Sequence, residues 1–370
     1  MKKIFISPSK YLQGEGELTQ LGAHIKRLGK RALLVVTDTE LERFRHELEA
    51  SQGEVDITMV SGKFRGECSK QEIHRLEEAA LSQKCDVIVG VGGGKALDTS
   101  KCVAHVTKLP CIVVPTIAST DAPCSSVGVL YTEDGSFDEY WVFDRNPDLV
   151  LVDTTVIAKA PRRFLVAGMG DALSTYFEAR ACLRSFSKNI PGGLSTKAGF
   201  AIAKLCYETL LEDSTKALAA CDAKVVTQAL ENIVEANILL SGLGFESSGL
   251  AAAHAVHNGL TALHETHSVY HGEKVAFGVL VQLVLENADQ KELNEVLNYC
   301  LSVGLPTCLA DLGVSKVDPE RLLEVAKLAT APNESIHNMP FAVTPESVYA
   351  AIVTADRIGA SAKHKPHLYS

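Results

Sequence analysis

The sequence predicts an α/β domain with a parallel sheet over residues 1–160 and an all-helical domain over residues 161–370. Three observations lead there. The chain has 370 residues, beyond the roughly 250–300 at which a single hydrophobic core stops growing. Its first half alternates short β-branched runs with amphipathic stretches, as expected of βαβ units whose helices cover both faces of a parallel sheet. After Asp153 helical periodicity takes over, and convincing β-runs cease.

The first buried strand is Ala32-Leu33-Leu34-Val35-Val36, ended by the polar Thr37-Asp38-Thr39. Runs of the same character follow at 56–60, 86–91, 111–114 and 149–152, and between them 70–83 and 96–106 carry apolar residues at helical spacing. Pro161 then suits a helix start, where a missing N–H costs nothing. The stretch 162–182 reads as one long helix, followed by helical patterns at 196–211, 225–240, 250–263, 275–287, 319–328 and 345–357.

Composition excludes several classes of function. Hydrophobic residues make up 46% and charged residues 22%, enough to build sizeable cores and too apolar for a disordered chain. The net charge is -9, aromatics are 6%, and no basic run is interleaved with them. Nucleic acid and anionic membrane surfaces are therefore not expected partners. The ten cysteines are scattered and form no C-x-x-C pair, so they read as buried small hydrophobes rather than a disulfide framework. Ser7-Pro8 follows Lys2-Lys3-Ile4-Phe5-Ile6 where a signal peptide needs an apolar stretch, and no run of about twenty residues is apolar enough to span a bilayer. A cytoplasmic location is expected.

Chemistry is suggested at a few places. The predicted strand at 86–91 runs into Gly92-Gly93-Gly94-Lys95 and then a helix. Such a turn serves as a tight corner or, with backbone N–H groups and a helix N-terminus facing outward, as a phosphate cradle. Three glycines closed by Lys95 favour the cradle. Asp38 follows the first Rossmann-like strand; it either accepts hydrogen bonds from a ribose hydroxyl pair, which favours NAD over NADP, or caps a helix from Thr39 onward. The segment 115–123, with Thr116, Ser119 and Asp121, follows another strand and either offers hydroxyls and one carboxylate to a ligand or is a plain turn, which uses the same residue types.

Histidines supply the strongest signal. Five fall within 254–271: His254, His257, His264, His267 and His271. His254 and His257 lie one helical turn apart in an apolar stretch, where imidazoles need partners and a divalent metal is a common one. Asp171 is an isolated carboxylate in an apolar helix and needs a partner too. One carboxylate and two imidazoles with an open fourth position is a catalytic zinc arrangement. Neither 109–144 nor 225–273 contains Lys or Arg. A phosphate- or carboxylate-bearing substrate would ask for them, so a small neutral, hydroxylated substrate is expected.

Taken together, Ser7-Pro8-Ser9-Lys10-Tyr11, Gly92-Gly93-Gly94-Lys95-Ala96-Leu97-Asp98-Thr99, residues 115–124, Asn146-Pro147-Asp148, Gly170-Asp171-Ala172, residues 242–246, His254-Ala255-Val256-His257-Asn258-Gly259 and His271-Gly272-Glu273-Lys274-Val275 resemble the glycerol dehydrogenases of the group III, or iron-containing, alcohol dehydrogenase superfamily. The resemblance runs nearly end to end and implies a dehydroquinate synthase-like fold. It further implies a zinc-dependent, NAD-linked enzyme interconverting glycerol and dihydroxyacetone, and a homo-oligomer, commonly an octamer. By motif it implies Asp171, His254 and His271 as ligands of one zinc ion per subunit, in contact with the substrate through it. Asp121 falls on the substrate contact, and Asp38, Gly92, Gly93, Gly94, Lys95, Thr116, Ser119, Ser125, Val127 and Tyr131 fall on the NAD side. Iron-binding relatives carry a fourth ligand, a His one turn after the Asp; here Thr175 stands in that position, which favours zinc. Departures from the pattern are Ser126-Val127-Gly128, Ser248 and the loop 264–270. The expected chemistry is metal-assisted hydride transfer, with His257 outside the ligand set. The rivals are another group III dehydrogenase acting on 1,2-diols or 2-oxoacids, a lyase or phosphate-handling relative that the two cation-free stretches disfavour, and a non-catalytic NAD- or metal-binding protein.

Overall fold

The computed structural model describes residues 1–53, 55–133, 135, 137–316 and 318–364. They form two compact units. The first comprises Ile6–Pro161 and Ala220–Gly242. It contains strands β1 (Tyr11–Gly14), β2 (Arg31–Val35), β3 (Thr58–Ser61), β4 (Val87–Gly92), β5 (Cys111–Pro115), β6 (Val127–Tyr131), β7 (Phe137–Val142) and β8 (Leu149–Asp153). Six of them make a sheet in the order β1-β8-β5-β4-β2-β3, and every neighbouring pair is parallel. Helices cover both faces of such a sheet, which is why β4, β5 and β8 are buried at every residue and read as unbroken apolar runs. The chain passes outward from β2 to β3, returns across β2 to β4, and continues to β5 and β8. The order thus reverses between β2 and β4, and in open α/β sheets the crevice at the carboxyl ends of such a strand pair receives ligands.

The five expected strands correspond to β2, β3, β4, β5 and β8. Not expected were β1, a four-residue edge strand on β8, and the antiparallel β6–β7 hairpin. The hairpin is tied to the sheet's helix Gly94–Thr107 by Asp98, whose Oδ2 accepts Val129 N–H at 3.1 Å.

The second unit comprises Met1–Phe5, Arg162–Ala219 and Leu243–Ser370. At its centre helix His271–Leu285 packs against helices Arg162–Ser185, Ala252–Leu260 and Pro345–His364. Residues 272–283 are buried all round, as befits a helix surrounded by others. Helix Gln290–Val303 lies outside the segments expected from periodicity.

The division is not a single cut near residue 160. The stretch 225–240, expected as one helix of the helical domain, is helix Gln228–Glu235 followed by a π-turn, Ala236–Leu240, and it groups with the sheet. Polar contacts hold it there. Gln13 Nε2 donates to Glu231 O at 3.0 Å, Thr154 Oγ1 to Glu231 Oε1 at 2.7 Å, and Asn237 Nδ2 to Ala118 O at 3.0 Å. All ten cysteines are free and buried. Among the described residues no helix is long and apolar enough to cross a membrane.

Candidate functional site

In the α/β unit the glycine run sits at the carboxyl end of β4. Gly92 closes the strand at φ 152°, and a Cβ there would meet Glu40 Oε2 at 2.8 Å. The turn therefore needs glycine on both conformational and spatial grounds. Helix Gly94–Thr107 starts immediately after, with Gly93 at its N-cap and no side chain capping it. Its first N–H groups and positive dipole end face the turn, an arrangement suited to a phosphate. The next strand's loop lies alongside: Thr116 N–H donates to Gly92 O at 3.0 Å, and a Cβ on Gly94 would meet Thr120 Oγ1 at 3.8 Å.

Asp38 stands where β2 ends, across the reversal point from this turn. It is not the helix cap. Thr37 caps helix Asp38–Arg43 by accepting Glu40 N–H, and Asp38 opens the first turn. Its carboxylate is 63% exposed and pairs with Lys63. Lys95 is ion-paired with Glu67 and lies 5.0 Å over the Tyr131 ring. Burial, then the charge of Asp98, raises the Tyr131 pKa. Ser125 is buried, and Lys101 Nζ reaches its Oγ at 3.3 Å and also donates to Val127 O. Lys101 is thus a cation close to a stretch that has none of its own, but it is neutralised by Asp98 at 2.8 Å. Ser119 is half-buried in the loop after β5. Asp121 is buried, and its Oδ2 accepts the Ser241 hydroxyl at 2.6 Å; that partner comes from the segment after the π-turn.

In the helical unit three elements meet. Helix Arg162–Ser185 carries Asp171, 1% exposed; helix Ala252–Leu260 carries His254; helix His271–Leu285 begins with His271. Glycines let two of these backbones touch. A Cβ on Gly272 would fall 1.9 Å from Ala167 O, and one on Gly170 2.3 Å from Gly272 O. That approach sets His271 beside Asp171, with Nε2 3.2 Å from Oδ1. His254 Nε2 lies 3.6 Å from the same oxygen. Among the described residues these three form the group of metal-type donors, all within 4.8 Å of one another. A tetrahedral ion with bonds near 2.0–2.1 Å needs ligand atoms about 3.3 Å apart, so the donor set fits a small divalent cation.

The His254 proton is placed by Glu178, which is fully buried two turns beyond Asp171 on the same helix. Its Oε2 lies 2.6 Å from His254 Nδ1, and its Oε1 accepts the N–H groups of Ala251 and His254 at 2.8 and 3.0 Å. An ionised carboxylate only accepts, so Nδ1 carries hydrogen and Nε2, facing Asp171, is the nitrogen left to exchange its proton for a cation. Burial opposes charge on His254, but Glu178 and Asp171 outweigh it and raise its pKa well above the usual value. Burial would also raise Asp171, yet the His271 and His254 imidazoles more than offset it and hold the carboxyl below its ordinary range. The pocket asks for positive charge. Glu178 was not singled out from the sequence, although the argument that singled out Asp171, a carboxylate in an apolar helix, applies to it equally.

His257 stands outside the donor set: its Nε2 lies 3.0 Å from His271 Nδ1. Burial, then the charges of His271 and Lys274, lower its pKa well below the usual value. Lys274 is buried three residues after His271, so the cation-free stretch ends at this site. His264 and His267 meet edge to face, ring centroids 5.0 Å apart, in the turn His264–Ser268, apart from the donor set. Thr175, one turn after Asp171, offers a hydroxyl where an imidazole would make a fourth ligand.

Residues 8–154 match the family described as iron-containing alcohol dehydrogenase. A glycerol dehydrogenase of Citrobacter freundii is 52% identical over 359 residues, 97% of this chain and 98% of its own. This chain belongs to the glycerol dehydrogenase family of iron-containing alcohol dehydrogenases. The solved structure of glycerol dehydrogenase from Schizosaccharomyces pombe superposes with a TM-score of 0.94 at 40% identity, covering 99% of this chain and 93% of that one. A relative from Halobacterium salinarum named glycolaldehyde reductase is 45% identical over 97% of this chain and 98% of its own. The family thus includes proteins named for a polyol and for a hydroxyaldehyde.

Proposed function

We propose that this protein is an oxidoreductase that interconverts glycerol and dihydroxyacetone, using NAD and one zinc ion per subunit. The observation that carries the reading is the convergence of one donor atom each from Asp171, His254 and His271 within 4.8 Å in a chain so similar to glycerol dehydrogenases. These three residues would hold the cation, and with it the substrate, with Asp171 buried and His271 on the open side of the site. A divalent cation held there supplies Lewis acidity toward the substrate oxygen on which negative charge develops. NAD supplies the hydride acceptor.

The chain's own share is binding and orientation. Gly92, Gly93 and Gly94, with the helix start behind them, would receive the pyrophosphate. Asp38 would accept the ribose hydroxyls and repel a 2′-phosphate. Lys95, Thr116, Ser119, Ser125, Val127 and Tyr131 would line the rest of the NAD site. Asp121 would grip a substrate hydroxyl or carry its proton away. Three protein donors, with Thr175 in place of a further His, favour zinc over iron. The absence of Lys and Arg from 109–144 and 225–273 favours a neutral polyol. The same reading includes a homo-oligomer, an octamer by resemblance, working in the cytoplasm.

A second reading, reduction of a small hydroxyaldehyde, is favoured by the similarity to the glycolaldehyde reductase and needs the same site. The deciding assay is NADH formation from glycerol, 1,2-propanediol and related alcohols, with chelator and with zinc restored. Glycerol should support turnover that chelation abolishes and zinc returns. His254→Ala and His271→Ala should lose metal and turnover while still binding NAD. Full activity of either variant in metal-free form would refute the ligand assignment.

A further inference from the structure

Behind His271 a line of hydrogen bonds runs away from the donor set. His271 Nδ1 lies 3.0 Å from His257 Nε2, and His257 Nδ1 lies 3.0 Å from Asn258 Oδ1. Asn258 Nδ2 donates to Glu334 Oε2 at 3.0 Å. An imidazole and an amide can each point either way, so three of these four groups have no intrinsic polarity. The carboxylate does, because it can only accept.

Starting from Glu334, every proton in the line is determined. The Asn258 NH₂ must face Glu334, which turns its oxygen to His257. His257 Nδ1 must then carry the hydrogen, leaving Nε2 bare. A bare Nε2 accepts from His271, so His271 carries its hydrogen on Nδ1 and keeps the Nε2 lone pair, 3.2 Å from Asp171 Oδ1, for a cation. The outcome for His271 matches the one that Glu178 imposes directly on His254, but it is reached through two intermediate residues.

We propose that Glu334 is a positioning residue for the cation site, fixing the tautomer and orientation of His271 through Asn258 and His257. The inference rests on the reading of Asp171, His254 and His271 as ligands. Glu334 lies just before the turn Ser335–Asn338, which is fastened to the base of the histidine-bearing helix by separate bonds: Ser335 Oγ to Ala251 O at 2.7 Å and Asn338 Nδ2 to Leu250 O at 2.8 Å. Those bonds anchor the segment without touching the line, and so provide a control.

The test is titration of metal-stripped protein with Co²⁺, following its visible absorption, alongside the thermal midpoint of the same metal-free protein. Glu334→Ala should weaken Co²⁺ binding by about tenfold, and Glu334→Lys by about a hundredfold, the span expected when a ligand loses its outer partner. Lysine is the sharper case. A donor in place of an acceptor turns the amide around, switches the tautomer of both rings, and puts hydrogen on His271 Nε2. Glu334→Gln keeps an acceptor and should bind within about twofold of wild type, as should Ser335→Ala. Asn258→Leu interrupts the line independently, and should behave like Glu334→Ala if the latter fails to fold. A purely structural role predicts lower thermal midpoints with unchanged Co²⁺ affinity, and that result, or equal affinities for the Ala, Lys and Gln variants, overturns the proposal. His271→Ala serves as reference: if it binds Co²⁺ like wild type, the ligand reading itself has failed, whatever Glu334 does.

Discussion

At the scale of single residues, acceptor-only groups decide what the ambiguous ones do. Glu178 fixes His254, and Asp121 takes the Ser241 hydroxyl. Asp38 belongs to the same class but faces outward. Because Thr37 already caps the helix, the carboxylate of Asp38 is not needed for that, and in the proposed function it discriminates by charge. Asp38→Ala should raise the catalytic efficiency with NADP relative to NAD by roughly tenfold, which corresponds to removing about 1.4 kcal/mol of repulsion. The ratio of kcat/KM values for the two cofactors measures it. If the ratio stays put while NAD binding is also unchanged, Asp38 contributes only to the helix dipole and its pairing with Lys63. Thr37 should be left in place in that experiment, since losing the cap would itself cost about 1 kcal/mol.

At the scale of elements, legibility followed burial. The central strands β2, β4, β5 and β8 showed as β-branched runs because both of their faces are covered, and the long Arg162–Ser185 helix showed because its apolar stripe is continuous. The edge strand β1 did not show: Tyr11-Leu12-Gln13-Gly14 is four half-buried residues, too short for a period. The grouping of Gln228–Gly242 with the sheet was also hidden, since periodicity reports a helix but not which neighbour it packs on. Asp171, His254 and His271 were identified by motif, whereas Glu334 lacks any local signal, being a surface-type residue made specific by a fold that brings it to Asn258. Similar tertiary logic stabilises the short turn Leu309–Leu312. Asp311 Oδ2 accepts Thr307 N–H at 3.0 Å, and its Oδ1 pairs with Lys363 from the last helix. Burial would raise the Asp311 pKa, but Lys363 and the Thr307 N–H outweigh it and lower it. A carboxylate with a depressed folded pKa contributes stability above its unfolded value, about 3.9, and loses it as pH falls through the folded value. Asp311→Asn should therefore cost about 0.5–1 kcal/mol at pH 7, with the gap to wild type closing as pH falls below about 4. Urea midpoints of the two proteins across that range measure it; a gap constant with pH would mean that the charge contributes nothing.

At the scale of the whole molecule, the chain divides its chemistry between two units with separate cores. The α/β unit holds the glycine turn and Asp38 on one sheet, and the helical unit holds the three proposed cation donors on three mutually packed helices. A ligand that binds only the folded form stabilises by RT ln(1 + [L]/Kd), about 2.7 kcal/mol at a hundredfold excess over Kd, and that stabilisation is expressed first in the elements that contact it. Zinc should therefore slow amide hydrogen exchange in Arg162–Ser185, Ala252–Leu260 and the first turns of His271–Leu285, because cross-linking them through one ion suppresses their local opening. NAD should slow exchange around β2, β4 and the start of helix Gly94–Thr107 instead. Exchange followed by mass spectrometry on metal-free, zinc-loaded and NAD-loaded protein separates the two patterns. In His271→Ala the zinc pattern should vanish while the NAD pattern persists. Zinc protection centred on the strands, or surviving the loss of His271, would move the cation away from the three helices and leave the geometry of Asp171 without its chemical purpose.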